Sequence, residues 1–131
     1  MSNKLIVFAI FTTVAFIYGC NKEVSTPPVI TFSNTTGLVF KDTVLQAKDT
    51  FSIQVNSSKT GPEGFLENGY IYKSTNGGAD STLYTMKFAY VHFSQKYSFA
   101  AGDSGNTERY TFKFVNESGL SSSASILLTI E

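Results

Sequence analysis

The chain has 131 residues, a length that fits one domain, and its ten basic and ten acidic side chains leave no net charge. This balance argues against a nucleic-acid partner, because such a partner requires a basic patch that displaces counterions from phosphates. Twelve phenylalanines and seven tyrosines favour strands over helices, since aromatic residues are enriched in β-sheets.

The first predicted element is an uncharged apolar segment, residues 5–18, between Lys4 and Lys22. As a helix it would be about 21 Å long, which is short of the roughly 30 Å hydrocarbon core of a bilayer. A positive start, an apolar run and a small residue, Gly19, are typical of a secretory signal. The sequence therefore predicts a cleaved signal peptide over residues 1–19, in preference to a membrane-spanning helix.

The only cysteine, Cys20, directly follows this segment, so no disulfide can form within the chain. A buried apolar cysteine is the alternative interpretation. Residues 17–20, Ile-Tyr-Gly-Cys, resemble the lipobox of bacterial lipoproteins. The resemblance implies that diacylglycerol is attached to the Cys20 sulfur and that cleavage between Gly19 and Cys20 makes Cys20 the new N-terminus. Several acyl chains on one residue would anchor the protein at a membrane, whereas a single chain binds only marginally.

The residues after Cys20 predict where the anchored domain faces. Lys22 and Glu23 resemble the surface-export signal of Bacteroidota lipoproteins, which implies an outer-membrane protein exposed at the cell surface. A solvated charge pair in a linker, with the domain facing the periplasm, is the alternative. The adjacent Pro27 and Pro28 cannot continue a helix or a central strand, so residues 20–28 are predicted to be the lipidated cysteine and a stiff tether.

From residue 29 onward the pattern predicts strands. The clearest covers residues 50–56, in which apolar and polar side chains alternate with period two. Further strands are predicted at residues 29–32, 43–46, 70–72, 97–99, 110–114 and 124–130, and residues 82–93 fit one bent strand or two. Seven or eight short strands predict a two-sheet sandwich. Its predicted core contains Phe51, Ile53, Val55, Phe112, Phe114, Ile126 and Leu128, together with Tyr72 and Phe88.

The last third of the chain resembles the end of an immunoglobulin-like domain. A turn at residues 103–105 precedes Tyr110, which lies two residues before the core position Phe112, and a serine-rich strand closes the chain. The resemblance implies an all-β, immunoglobulin-like or fibronectin-type antiparallel β-sandwich of about seven to eight strands over residues 29–131, preceded by the N-terminal signal helix.

No residue pattern indicates catalysis. His92 is the only histidine, and no second ligand or carboxylate lies at the spacing of a metal site or an acid–base dyad, which predicts a structural or surface residue. Residues 103–106 lack the spaced carboxylates of a calcium loop and are predicted to form a turn. We therefore expect no enzymatic activity, no metal and no cofactor.

Two sets of residues are candidates for recognition or modification. Tyr84, Tyr90 and Tyr97 could stack on a sugar or a partner protein, because aromatic rings give a large contact area at little entropic cost. Packing within the domain is the alternative. The triplets that contain Thr43 and Ser81 resemble acceptors of Bacteroidota protein O-glycosylation, which implies both as candidate modified residues.

Together these features predict a membrane-anchored, surface-exposed, non-enzymatic lipoprotein whose β-sandwich binds a protein or a glycan. The alternative is a structural or spacer lipoprotein of the envelope without a ligand of its own. A contiguous patch of exposed aromatic rings would favour the first hypothesis, because such patches mark interaction sites.

Overall fold

The computed structural model describes residues 24–61 and 64–131. The predicted signal helix and four predicted functional residues (Gly19, Cys20, Lys22 and Glu23) lie outside the described residues. Within these two ranges every regular element is a strand, and no helix is long and apolar enough to cross a membrane.

Eight strands form the domain. In chain order they are β1 (Thr26–Phe32), β2 (Thr43–Leu45), β3 (Thr50–Thr60), β4 (Leu66–Thr75), β5 (Ser81–Tyr90), β6 (His92–Ala100), β7 (Thr107–Asn116) and β8 (Ser121–Ile130). The segment predicted as one bent strand or two is divided, because β5 ends and β6 begins on either side of Val91.

The strands form two packed sheets. One sheet has the order β1-β3-β6 and the other β2-β8-β7-β4-β5. Pairing is antiparallel throughout except between the short β2 and β8, which run parallel. The chain passes repeatedly between the sheets, as in Greek-key sandwiches. The prediction of an all-β sandwich of about seven to eight strands is therefore confirmed.

The core lies between the inward faces of β3, β7 and β8. All seven residues predicted from the alternating strands are buried there. Aromatic contacts join the two sheets, with ring centroids 5.5 Å apart for Phe51 and Tyr110 and 5.4 Å apart for Phe32 and Phe112. Each fully buried side chain of this size stabilises the fold by about 1.5–3 kcal/mol.

Two further core predictions need correction. Tyr72 lies on the outer face of β4, where its ring stacks on that of Tyr70, and Ile71 is the buried residue between them. Three consecutive large side chains gave no alternation from which the inward residue could be chosen. Phe88 packs against the core but is only half-buried, because it belongs to the edge strand β5.

Strand β1 begins at Thr26, within the segment predicted to be a tether. Thr26 pairs with Thr60, and the register shifts between Thr26 and Val29, where Pro27 and Pro28 lie. Proline is tolerated here because β1 is an edge strand, whose outer amides need no partner in the sheet. The two prolines are therefore part of the sandwich, and the connection to Cys20 is shorter than predicted.

The chain closes one side of the sandwich between β1 and β2. After β1, Ser33 N and Val39 N donate to carbonyls of β3 at 3.0 and 2.8 Å, so the chain follows that strand before it crosses to the other sheet. There Asp42 Oδ1 accepts a hydrogen bond from Leu127 N at 2.9 Å. On the opposite side, formed by β5 and β6, the described chain crosses between the sheets only at one end, where Val91 links the two strands.

Candidate functional site

The side of the sandwich at β5 and β6 is open because the two sheets differ in width. Phe93 of β6 contacts Phe114 of β7 and Phe88 of β5, with ring centroids 5.4 and 4.7 Å apart. Since β4 lies between β7 and β5, β6 must lie over β4. Strand β5 extends one position further, and no strand of the described residues lies over it.

Inward-facing side chains of β5 and β6 form a continuous surface at this opening. Tyr84 and Met86 lie opposite the inward residues Ile71 and Gly69 of β4, which fixes the face from which they project. We call this surface the edge row and define it by Tyr84, Met86, Phe88, Tyr90, Phe93, Tyr97 and Phe99. Its most exposed members are Tyr84, at 45%, and Tyr90, at 58%.

All three tyrosines that the sequence singled out belong to the edge row. The rings of Tyr84 and Tyr97 lie 5.3 Å apart, and the Tyr97 hydroxyl donates to Met86 Sδ at 2.7 Å. Tyr90 lies at the other end and contacts the Phe88 ring at 6.3 Å. Burial, followed by the neighbouring Tyr84, raises the pKa of Tyr97 above its ordinary value. Tyr97 therefore also packs within the domain, whereas Tyr84 and Tyr90 present free ring surface.

Gly69 makes room for the edge row. A Cβ atom at this position would lie 2.7 Å from Phe88 Cζ, which is closer than real contacts allow. Because the position has no side chain, the Phe88 ring can lie over β4 and stack on Phe114 at 5.9 Å. Sequence reasoning missed Gly69, although a glycine within a strand commonly marks such a close approach.

The edge row lies in a segment without acidic residues. Residues 81–100 contain two lysines, Lys87 and Lys96, and no aspartate or glutamate. The ion pairs among the described residues are Lys48 with Asp103 and Lys73 with Glu108, so neither Lys87 nor Lys96 is paired there. Lys87 projects from the outer face of the five-stranded sheet and Lys96 from the outer face of the three-stranded sheet, so a positive charge lies on each side of the opening.

His92 lies in a separate, shallow groove on the outer face of the three-stranded sheet. The groove has a volume of about 420 Å³ and is lined by Val29, Thr31, Asn56, Ser57, Ser58, His92, Phe93 and Ser94. Asn56 donates to Ser33 Oγ at 2.9 Å and accepts from Ser94 at 2.7 Å, so these polar groups satisfy one another. In the described residues no three metal-ligating side chains come together. The imidazole is thus placed among hydroxyls and amides.

A buried polar cluster closes one end of the sandwich. Glu108 is only 2% exposed. Its carboxylate forms an ion pair with Lys73 Nζ at 2.6 Å and accepts a hydrogen bond from the Tyr110 hydroxyl at 3.2 Å. Burial, and then the charge of Glu108, raises the pKa of Tyr110 well above its ordinary value. In immunoglobulin-like domains the corresponding tyrosine bonds to the backbone, whereas here it bonds to a carboxylate. Every member has a partner inside the fold, so the cluster is structural.

The two candidate glycosylation residues differ in their surroundings. Thr43 is half-buried at the start of β2, next to Asp42, whose carboxylate holds β8. Ser81 is exposed at the start of β5 and donates to the Lys73 carbonyl at 3.0 Å.

Protein-family models, curated proteins and solved structures give no match to this chain. Function is therefore inferred from the surface of the protein itself.

Proposed function

We propose that this protein is a lipid-anchored, non-enzymatic lipoprotein of the bacterial outer membrane, exposed at the cell surface, whose sandwich binds another protein at the edge row. The anchor would be Cys20, after cleavage behind Gly19, and the export signal would be Lys22 and Glu23.

The continuity of the edge row is the observation that carries this proposal. Seven apolar and aromatic side chains follow one another along the opening, and Tyr84 and Tyr90 are about half exposed. Contiguous exposed apolar surface on a small domain commonly marks a binding site. Tyrosine is enriched among the residues that dominate binding energy, since it combines a large ring with a polar end.

The short N-terminal connection supports an orientation of the edge row relative to the membrane. Six residue steps from Cys20 to Thr26 reach about 20 Å when fully extended, so the start of β1 stays close to the lipid. Thr26 pairs with Thr60, and the neighbouring Lys59 N donates to Val91 O at 3.0 Å. Tyr90 therefore lies at the membrane-proximal end of the row, and Tyr84 lies further out.

Photo-crosslinking in intact cells tests the proposal. A photoreactive amino acid at position 84 or 90 should crosslink a specific protein, whereas the same group at Leu127, exposed on the outer face of the five-stranded sheet, should not. Equal crosslinking at all three positions, or none, would overturn the edge row as a protein-binding site.

The alternatives predict other outcomes. A glycan ligand would give binding on a glycan array that Tyr84→Ala abolishes, and no protein crosslink. A spacer without a ligand would give neither signal. Protease treatment of intact cells separates the two orientations, because a periplasm-facing domain is cleaved only after the outer membrane is permeabilised.

A further inference from the structure

The place beside β6 and above β5 has the shape of a missing strand. The three-stranded sheet ends at β6, which lies over β4, while the five-stranded sheet continues to β5. We infer that the protein partner binds here as an added β-strand, which pairs with β6 and covers the inward side chains of β5. This inference rests on the proposed function and specifies how the partner is recognised.

Backbone pairing supports strand addition. Within residues 24–61 and 64–131, β6 pairs only with β3 and β5 only with β4, so each strand presents one unpaired edge. These strands have nine and ten residues, and long edges of this kind are templates for an additional strand. Main-chain hydrogen bonds would supply affinity, and contacts of alternate side chains would supply selectivity.

Burial decides between the two edges. A strand added to β5 would widen the five-stranded sheet further, with no layer opposite it. A strand added to β6 would instead lie directly over β5 and remove Tyr84, Met86 and Phe88 from water. Because apolar burial contributes about 25 cal/mol per Å², the position beside β6 is favoured.

The same geometry fixes the chemistry of the partner segment. Its inward side chains would contact the edge row and should be apolar or aromatic. Its outward side chains would neighbour Lys96, which faces outward opposite Gln54 of β3. Since Lys96 projects there and residues 81–100 carry no carboxylate, the outward positions near Lys96 should be aspartate or glutamate. The partner segment is thus an extended peptide of alternating apolar and acidic residues. It needs about seven residues to match the stretch from Tyr84 to Tyr90.

Selection from a display library of random decapeptides on the folded domain provides the first test. Selected peptides should alternate apolar and acidic residues, and a bound peptide should slow hydrogen exchange at β6 amides without affecting β1. Peptides without alternation, or protection confined to another surface, would overturn the inference.

Backbone methylation of a selected peptide provides the second test. Two versions carry N-methyl groups at alternate positions, one at odd and one at even residues. Only one set of amides can point at β6, so one version should lose at least tenfold in affinity and the other should bind normally. Equal binding of both would overturn strand addition.

Charge variants complete the experiment. Lys96→Glu should weaken binding of the acidic peptide about tenfold, whereas Lys113→Glu, on the outer face of the other sheet, should leave it unchanged. Equal effects of the two variants would contradict the predicted position. Crosslinking at positions 84 and 90 without protection of β6 would retain the proposed function and reject strand addition, so the two can fail separately.

Discussion

At the scale of single residues, the buried carboxylate of Glu108 is stabilised by an ion pair and a hydrogen bond. Glu108 is buried at one end of the sandwich, but Lys73 and Tyr110 both bind its carboxylate. Removing one partner of such a pair is costly, since an uncompensated buried charge remains. The sequence placed Tyr110 near the core but gave no sign of Glu108, because a lone glutamate in a strand usually faces solvent.

Tyr110 makes the stability of the domain fall as the pH becomes alkaline. Its pKa is raised above the ordinary value of 10.0, so its stabilising contribution is complete below pH 10 and is lost as the pH rises further. Above that pH the unfolded chain releases the hydroxyl proton while the folded chain retains it. We expect the wild type's free energy of unfolding, measured in urea, to fall above pH 10 by about 1.4 kcal/mol per pH unit because of this residue.

The control for this prediction is Tyr110→Phe. The variant should be about 1 kcal/mol less stable at pH 7, because it lacks the hydrogen bond to Glu108. Its stability should fall less steeply above pH 10, so the two curves converge. Parallel curves would show that Tyr110 ionises equally in the folded and unfolded chain.

Ser57 is the exception to this rule of satisfied polar groups. Its hydroxyl is buried, with the residue 3% exposed, and has no hydrogen-bond partner among the described residues. An unsatisfied buried hydroxyl costs about 1–3 kcal/mol. Ser57→Ala should therefore raise the free energy of unfolding by about 1 kcal/mol, measured by chemical denaturation. Ser52→Ala, whose hydroxyl bonds to Ser98 at 2.8 Å, is the control and should not stabilise the domain.

At the scale of elements, β5 determines the shape of the binding surface. Phe88 can cover Gly69 only because the glycine has no Cβ atom. Gly69→Ala should displace the Phe88 ring, destabilise the domain by about 1–3 kcal/mol, and weaken partner binding. Gly78→Ala, in the turn before β5, leaves Phe88 in place and controls for the general effect of the substitution. If Gly69→Ala is fully folded and binds the partner as tightly as the wild type does, Phe88 does not contribute to the binding surface.

Strands with strict alternation were predictable from the sequence, and strands at edges were less so. Residues 50–56 and 110–114 repeat with period two, because one of their faces is buried along its whole length, and both were assigned correctly. Strand β1 was assigned too short, since prolines mask an edge strand. The edge row as a whole could not be predicted from the sequence. Its members come from two sheets, and they form one surface only because the chain crosses from β5 to β6 at Val91.

At the scale of the whole molecule, the opening faces sideways from the proposed membrane anchor. The sandwich is fixed at its start, since Asn116 Nδ2 donates to Ser25 Oγ at 3.2 Å and to Thr26 O at 3.0 Å. The described fold therefore begins only a few residues after Cys20. In the proposed orientation, a partner strand beside β6 would run along the domain from Tyr90, nearer the membrane, toward Tyr84. This arrangement suits the capture of an extended segment from a neighbouring envelope protein.

Membrane attachment is the prediction on which this arrangement depends. Cys20→Ala removes the only sulfur that could carry diacylglycerol, so the variant should lack label from a fatty-acid analogue and leave the membrane fraction. Asn21→Ala retains Cys20 and should remain labelled and attached. Replacing Lys22 and Glu23 together by alanine should keep the lipid but protect the domain from protease in intact cells, because the export signal is lost while the anchor remains. Equal labelling of wild type and Cys20→Ala would contradict the anchor. An unlabelled but membrane-bound variant would mean that residues 5–18 hold the protein in the bilayer as an uncleaved segment.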